Sequence, residues 1–316
     1  MPRLPRPPVS TLTSGLTWID LEFLGRRQAI ATAVVQGAGD VALIDPGPAT
    51  CLPVLERELL RRGIALGDVT QILLTHIHLD HAGATGTLVG RHPHITVRVH
   101  ARGAPHLVDP ERLLQSAARL YGDAMGRLWG DVLPVPADRV VPLEGGETLR
   151  AGGRTFEVAY TPGHASHHVS YFDASSGVAF VGDTAGVCID GGYVLPPTPP
   201  PDIDLELWAS SVERIGRWSP STLFMTHFGP AASVRPHLAA LLRHLDALGD
   251  LVRRSLLEAG DDDSRRQRFV EDLRHELRRH MGEDQAMAYE AASPLDLLWL
   301  GLARYWRKTG RVAAGR

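Results

Sequence analysis

The sequence contains, at residues 76–81, the run His76-Ile77-His78-Leu79-Asp80-His81. Three imidazoles and one carboxylate thus follow directly after the apolar segment 69–74. Neutral imidazole nitrogen and carboxylate oxygen are the ligands that zinc, iron and manganese accept. A purely structural role explains the run poorly, because a buried loop would have to provide a hydrogen-bond partner for every ring nitrogen. The run therefore predicts a metal site.

Further ligands have to come from elsewhere in the chain, because one loop supplies too few for two metal ions. His164, Asp183 and His227 each follow a strand-like segment and lie in or beside a glycine-containing turn. The ends of strands are where α/β folds place their chemistry, since loops there converge over a rigid sheet. We therefore expect these three side chains to lie near the first loop.

Composition is that of an ordinary globular protein. The 316 residues are 44% hydrophobic and 22% charged, and a chain of this length can bury a large core. A net charge of −3 gives no reason to expect a nucleic-acid partner. The only two cysteines, Cys51 and Cys188, form no CxxC pair, which fits a reducing cytoplasm.

Two further absences shape the expectation of a cytoplasmic protein. The basic N-terminal segment 1–8 leads into no apolar stretch, so we expect no secretory signal. No continuous apolar stretch approaches the length of about 18 residues that a membrane span requires, so we expect no membrane partner.

Up to about residue 230, strand-like segments alternate with helical periodicity. We predict strands at 30–35, 41–44, 69–74, 154–160, 168–172, 177–181 and 221–225, and helices at 53–62, at 105–129 and after Asp204. Two successive α/β halves with chemistry at the strand ends predict a layered α/β sandwich. We therefore predict a catalytic domain over residues 1–230.

Residues 231–316 show only helical periodicity and are predicted to form a helical C-terminal extension, with helix starts at Ser233, Asp261 and Ser293. These helices either pack on the sandwich or form a lid or dimer surface that shapes a substrate pocket. Trp299 and Trp306 are expected to be exposed, which would favour such a surface and a homodimer. The proline-rich segment 195–201 is expected to be a stiff loop, either bordering the pocket or simply structural.

Five motifs in order give the chain a resemblance to the metallo-β-lactamase superfamily, in the branch that looks like glyoxalase II. They are Asp45-Pro46-Gly47, the HxHxDH run at 76–81, Gly163-His164, Gly182-Asp183 and His227. The resemblance covers residues from about 15 to 230. It implies an α/β fold of the αββα sandwich type, with metal ions at one edge of the two sheets, followed here by an all-helical appendage.

The resemblance also implies which side chains hold the metal ions. The first ion would be held by His76, His78 and His164. The second would be held by Asp80, His81 and His227. The Asp183 carboxylate would bridge both ions. Asp45 would orient a ligand or the loop without binding metal, and a plain turn residue before proline explains it equally well.

By the same resemblance the protein is a metal-dependent enzyme acting on a small molecule. The enzyme would hold two divalent ions about 3.5–4 Å apart, and zinc is expected ahead of iron or manganese. Such a pair lowers the pKa of a shared water from about 15.7 towards 7. Asp80 faces that water and would pass its proton onward. The implied reaction is hydrolysis of an ester, thioester, lactone or phosphoester, with the substrate and its contact residues left open.

Two departures from the family pattern bear on the substrate. His167 and His168 stand where the family often has glycine and a small polar residue, and they are either substrate contacts and proton carriers or outer groups. The basic residues that bind glutathione in a true glyoxalase II are not recognisable after Pro230, which speaks against glutathione thioesters.

Other functions fit the pattern less well. A persulfide dioxygenase would use one iron held by His76, His164 and Asp183, and a metal-loaded binding or sensor protein would show no turnover. An exported β-lactamase is disfavoured because no signal is expected, and a nuclease by the acidic balance. A flavodiiron-type reductase is disfavoured because that branch usually carries glutamate where His78 stands.

Overall fold

The computed structural model describes residues 10–310, so the basic segment 1–8 lies outside the described residues. In the described part, the first sheet has 7 strands that follow one another in chain order. They are β1 (Ser10–Thr13), β2 (Leu16–Asp20), β3 (Ala31–Gly37), β4 (Asp40–Ile44), β5 (Val69–Leu73), β6 (Thr96–His100) and β7 (Val140–Leu143). Pairing is antiparallel from β1 to β4 and parallel from β4 to β7.

The second sheet has 6 strands in the reverse order from β13 to β8. They are β8 (Thr148–Ala151), β9 (Arg154–Tyr160), β10 (Val169–Asp173), β11 (Val178–Phe180), β12 (Thr222–Met225) and β13 (Gly229–Ala231). Only the β11–β12 pair is parallel, and the others are antiparallel.

Helices occupy the intervals between strands and the whole C-terminal region of the described chain. They are α1 (Leu52–Arg61), α2 (Leu79–Ala82), α3 (Thr85–Arg91), α4 (Ala104–Val108), α5 (Glu111–Tyr121), α6 (Met125–Trp129), α7 (Leu205–Arg217), α8 (Val234–Leu257), α9 (Asp262–His280), α10 (Glu283–Ala292) and α11 (Leu295–Lys308). Among the described residues, no helix is both long enough and apolar enough to cross a membrane.

The two sheets face each other across one apolar core. Val35 and Ile44 of the first sheet and Phe156, Tyr171 and Phe180 of the second all belong to it and are buried. Neighbouring residues of a strand point to opposite sides, so each central strand of the first sheet buries a second set of side chains on its other side. The sheets therefore pack as the inner layers of a sandwich.

Helices cover the outer sides of both sheets. Val34 and Leu43, on the outer side of the first sheet, share a core with Leu55 of α1 and Leu88 of α3. Helix α7 lies against β9 of the second sheet and buries Trp208. The layer order is helix, sheet, sheet, helix, which confirms the predicted αββα sandwich.

The predicted strands occur with ends shifted by a few residues, and the helical region after residue 230 is confirmed. The segment predicted to be helical over 105–129 forms three helices, α4, α5 and α6, which are separated at residues 109–110 and 122–124. Two helices start as predicted after Asp204 and Asp261, whose side chains cap them by accepting hydrogen bonds from the amides of Leu207 and Ser264. Helix α8 also starts as predicted, directly after Ser233, although the Ser233 side chain makes no capping hydrogen bond. Helix α10 was not predicted, because it buries only Ala286 and Tyr289 and therefore carries no apolar stripe.

The expected exposure of two tryptophans is wrong. Trp299 is 1% exposed and Trp306 is 7% exposed, and the Trp306 indole donates to the Gly249 carbonyl of α8 at 2.8 Å. Both rings pack inside the helical region instead of lining its surface. The homodimer inferred from them thus loses its support and stays a prediction.

Helix α11 also packs on the sandwich domain. The Thr198 hydroxyl in the proline-rich loop donates to the Leu298 carbonyl at 3.1 Å, and one apolar core runs from the second sheet into the C-terminal helices. Strand β13 ends at Ala231 and α8 begins at Val234. The division into domains at residues 230 and 231 stays a prediction.

Substitution of Gly301 tests how closely α11 meets this loop. A Cβ at residue 301 would lie 2.0 Å from the Thr198 carbonyl oxygen, so Gly301→Ala must displace the helix. We expect the free energy of unfolding, measured with denaturant, to fall by about 1–3 kcal/mol. Gly216→Ala in α7 is the control, because its Cβ would meet nothing within 4 Å and alanine favours helix by up to about 1 kcal/mol. Equal stability of the two variants would contradict the packing.

Candidate metal centre

Three groups of histidine and aspartate side chains lie at one edge of the two sheets. In each group the ligand-type atoms lie within 4.8 Å of one another. The groups are His76 with His78 and His164, His76 with His81 and Asp183, and Asp80 with His81 and His227. The structure thus brings together all seven side chains of the implied ligand set.

Strand ends deliver these side chains from both sheets. The loop after β5 carries His76 and His78, and the single turn of α2 then presents Asp80 and His81. From the second sheet, His164 follows β9, Asp183 lies in the turn Gly182–Ala185 after β11, and His227 follows β12. The positions that the sequence marked as strand ends therefore meet across the sandwich.

Asp183 lies between two sets of histidines. One of its oxygens, Oδ2, is 3.4 Å from Nε2 of His164, while Oδ1 is 3.2 Å from Nε2 of His81 and 3.6 Å from Nε2 of His227. Ligand atoms of a tetrahedral ion at about 2.0–2.1 Å lie roughly 3.3 Å apart, so these separations suit a metal ion on either side of the carboxylate.

The first set of nitrogens is equally close. Nδ1 of His78 lies 3.0 Å from Nε2 of His76 and 3.0 Å from Nε2 of His164. On the second side, Nε2 of His227 lies 3.3 Å from an Asp80 oxygen. Two compact groups of donors therefore flank Asp183.

Outer contacts orient the rings. Nδ1 of His164 lies 2.8 Å from the Pro197 carbonyl and Nδ1 of His227 lies 2.6 Å from the Ala29 carbonyl. A carbonyl oxygen only accepts, so each Nδ1 carries the proton and each Nε2 presents a lone pair to the centre. This is the tautomer that a metal ligand needs.

Asp45 occupies the space behind the centre. It is buried, its Oδ1 accepts from the Thr75 amide at 2.8 Å, and its Oδ2 lies 2.9 Å from Nδ1 of His81. The same oxygen accepts from the hydroxyls of Thr75 and Thr226 at 2.7 and 2.9 Å. The backbone of Asp45 is left-handed, with φ +52°, as aspartate tolerates better than most residues.

Burial and mutual repulsion keep the histidines of the first set neutral. Burial lowers the pKa of His76 well below its usual range, and neighbouring histidines lower it further. Burial likewise lowers the pKa of His78 to about 4, with His164 adding to the effect. Neutral imidazole is the form that binds metal, so these rings need no deprotonation near pH 7.

The second set has the opposite electrostatics. Burial opposes charge on His81, but Asp183, Asp80 and Asp45 together raise the pKa of its ring well above the usual value. Burial also opposes charge on Asp183, yet His81, His227 and His164 hold the pKa of that carboxyl well below its usual range. Carboxylates that attract a proton to His81 also attract a cation, and a metal ion would take the place of that proton.

Two buried atoms at the centre have no hydrogen-bond partner among the described residues. They are Nε2 of His81 and Oδ1 of Asp183. Leaving a buried polar atom unpaired costs about 1–3 kcal/mol, more for a charged group. The two atoms lie 3.2 Å apart without forming a hydrogen bond, so a metal ligand role accounts for both and the donor set fits a divalent ion.

The two extra histidines differ in position. His168 is fully buried, and its Nδ1 lies 2.9 Å from the Thr161 hydroxyl and 3.2 Å from the Thr184 hydroxyl, so it is a structural group. His167 instead lines the cavity in front of the centre.

A cavity of about 310 Å³ opens over the centre. His78, Asp80 and Asp183 form part of its wall, and α5, α11 and the proline-rich loop form much of the rest. The expectation that this loop borders the pocket is thus met. Residues missed by the sequence reasoning also line the cavity: Arg102, Arg112, Tyr121, Asp202, Leu297 and Leu298.

The chain belongs to the metallo-beta-lactamase superfamily, because residues 25–227 match that family. The metallo-beta-lactamase fold-containing protein ST1585 of Sulfurisphaera tokodaii is 32% identical over 167 residues, which are 52% of this chain and 62% of that protein. A hydroxyacylglutathione hydrolase of Synechococcus is 32% identical over 151 residues, which are 46% of this chain and 45% of that protein. The match thus spans about half the length of these curated relatives.

Solved structures agree with the fold. The metallo-beta-lactamase family protein TTHA1429 of Thermus thermophilus superposes with a TM-score of 0.70 at 25% identity, over 97% of each chain. Its match therefore extends through the C-terminal helices, beyond the sandwich.

Asp45→Asn tests whether this carboxylate holds the centre together. Asparagine keeps the shape and tolerates the left-handed backbone, but its NH₂ group cannot accept a hydrogen bond. The NH₂ group replaces the oxygen that faces His81, Thr75 and Thr226, so at least one buried donor loses its acceptor. We therefore expect the metal-free protein to lose about 2–3 kcal/mol of unfolding free energy in denaturant titrations. Thr226→Val is the control and should lose only about 1 kcal/mol of unfolding free energy, because it removes the hydroxyl together with its hydrogen bond and leaves no donor unpaired. A loss for Asp45→Asn no larger than for the control would refute the role.

Proposed function

We propose that the protein is a dinuclear metallohydrolase that cleaves an ester, thioester, lactone or phosphoester of a small molecule. The observation that carries the proposal is the position of Asp183, whose two oxygens face two separate groups of ligand atoms. The relative named hydroxyacylglutathione hydrolase supports a hydrolytic reaction.

The proposed ligands are the seven side chains of the two sets. His76, His78 and His164 would hold one ion, Asp80, His81 and His227 the other, and Asp183 would bridge them. Zinc is proposed because nitrogen-rich sets with one or two carboxylates suit it, and iron and manganese accept the same donors. When bound, the two ions would activate a water and polarise the substrate oxygen.

The surrounding residues then have distinct roles. Asp45 would keep His81 in its ligand orientation through the 2.9 Å contact to Nδ1. The Asp80 side chain is 21% exposed at the cavity wall, whereas Asp183 is 5% exposed. Although burial opposes charge, His81 and His227 lower the pKa of Asp80 to about 2, so it stays ionised, as a metal ligand must. Its greater exposure at the cavity wall makes it the carboxylate that a proton from the reaction can reach. We therefore assign the proton-carrying role to Asp80.

A cytoplasmic location belongs to the same proposal. Cys51 and Cys188 are both free and buried, and burial raises the pKa of their thiols to about 12 and about 11. Such thiols are inert structural groups, as expected in a reducing compartment.

Asp183→Asn tests the bridge. We expect about two metal ions per chain in the wild type and at most one in the variant, because the amide cannot bridge as an anion. Turnover should fall by about 10³-fold or more. Elemental analysis and a screen of ester, thioester, lactone and phosphodiester substrates measure both. His167→Ala, which alters the cavity but no proposed ligand, is the control and should keep its metal.

Three outcomes would contradict this assignment. Full metal content and activity in Asp183→Asn would remove the bridging role. One iron per wild-type chain, with oxygen uptake and no hydrolysis, would favour the dioxygenase. Full metal loading without turnover of any substrate would favour a binding or sensor protein.

A further inference from the structure

We propose, on the basis of the hydrolase function above, that the substrate carries a second, anionic group that binds Arg102 and Arg112. The two arginines line the same cavity as Asp80 and Asp183. The anionic group is a carboxylate or a phosphate, since both match the flat donor array of a guanidinium.

Arg102 is held in place by stacking. Its guanidinium carbon lies 5.7 Å from the ring centre of Tyr160, a cation–π distance. The Tyr160 ring stacks on His100 at 4.4 Å, and its hydroxyl donates to the Ser166 carbonyl at 2.9 Å. The stacked support orients the guanidinium before any ligand arrives, which reduces the entropy lost on binding.

The charge of both arginines is available to a ligand. Over residues 10–310, no carboxylate lies within the 4.0 Å ion-pair distance of either guanidinium. The Asp202 carboxylate in the same cavity is already satisfied, because it accepts hydrogen bonds from the hydroxyl and the amide of Ser166. The cavity therefore offers two cations that its own acids do not pair.

Helix α5 sets the distance between the arginines and the metal centre. Arg112 lies in its first turn and Tyr121 is its last residue, so their Cα atoms are roughly 13 Å apart along the axis. Both line the cavity. Tyr121 shares the cavity wall with Asp80 and Asp183, so that helix end lies near the centre, where burial and these two carboxylates raise the pKa of its hydroxyl. The anionic group thus binds away from the scissile bond.

The wall between these two ends is apolar. Leu113, Ala117 and Leu120 of α5 follow a helical three-four spacing along it, and Leu297 and Leu298 of α11 also line the cavity. An apolar chain fits such a wall, whereas a polar linker would lose its water without gaining partners. The substrate class is therefore an ester or thioester whose acyl chain of medium length ends in an acid group.

Paired esters test the inference in the zinc-loaded, full-length protein. Monomethyl adipate and methyl hexanoate have the same chain, but only the first ends in a carboxylate. We expect kcat/KM to be about tenfold higher for the adipate ester than for the hexanoate ester. This ratio should be smaller at 1 M salt, because salt screens the charges. Arg102→Gln and Arg112→Gln should each remove most of this preference by raising KM for the adipate ester alone. Arg119→Gln, on α5 but outside the cavity wall, should change neither substrate.

Equal kcat/KM for the two esters, or an equal effect of the arginine variants on both, would overturn the inference. If the metal-loaded protein cleaves no ester, thioester, lactone or phosphoester, the proposed hydrolase function fails, and binding measurements then test the inference separately. Adipate and hexanoate both offer one carboxylate to a metal centre, and only adipate offers a second to the arginines. Calorimetry should show tighter binding of adipate that is lost in Arg102→Gln, and equal affinities would refute the site.

A third probe identifies the acid group. Replacing the terminal carboxylate by a phosphonate keeps the chain and changes only the anion. Tighter binding of the phosphonate, sensitive to Arg102→Gln, would support a phosphorylated substrate, and tighter binding of adipate a dicarboxylic one. Binding of either anion that is insensitive to both arginine variants would overturn the inference.

Discussion

The buried carboxylate of Asp45 connects the two sheets at the point where the metal centre forms. It follows β4 of the first sheet, and it accepts hydrogen bonds from Thr75 after β5 and from Thr226 after β12 of the second sheet. Its contact with His81 adds a ring of the proposed second metal site. One anion therefore sets the relative position of both sheets, the metal loop and a ligand, and the distances around Asp183 depend on it.

Burial determines the chemistry of the same region. Because the histidines lie out of water, those of the first set are neutral, and because Asp183 lies among histidines it remains ionised. The histidines and Asp183 are therefore in the protonation states that bind a metal ion, but Nε2 of His81 and Oδ1 of Asp183 have no hydrogen-bond partner. A cation is the partner that satisfies both requirements, so the polar core is arranged for binding at the expense of its own stability.

Much of the fold followed from local patterns, and the failures have physical causes. The strand-end positions of His164, Asp183 and His227 were evident because each follows an apolar segment and lies in or beside a glycine-containing turn. Trp299 was misjudged because helical periodicity shows that a side is apolar but not whether another helix covers it. Helix α10 has no apolar stripe to detect, since the only residues it fully buries are Ala286 and Tyr289.

The sequence by itself determined the kind of centre. Ligand type and order are local properties, since four donors lie within residues 76–81 and the remaining ones follow single strands. The tertiary structure decided which surfaces face that centre. Arg102, Arg112 and Leu297 come from distant parts of the chain, and they share one cavity only because the segments that carry them pack around the same centre. No local pattern encodes such a meeting, because it depends on how whole elements pack.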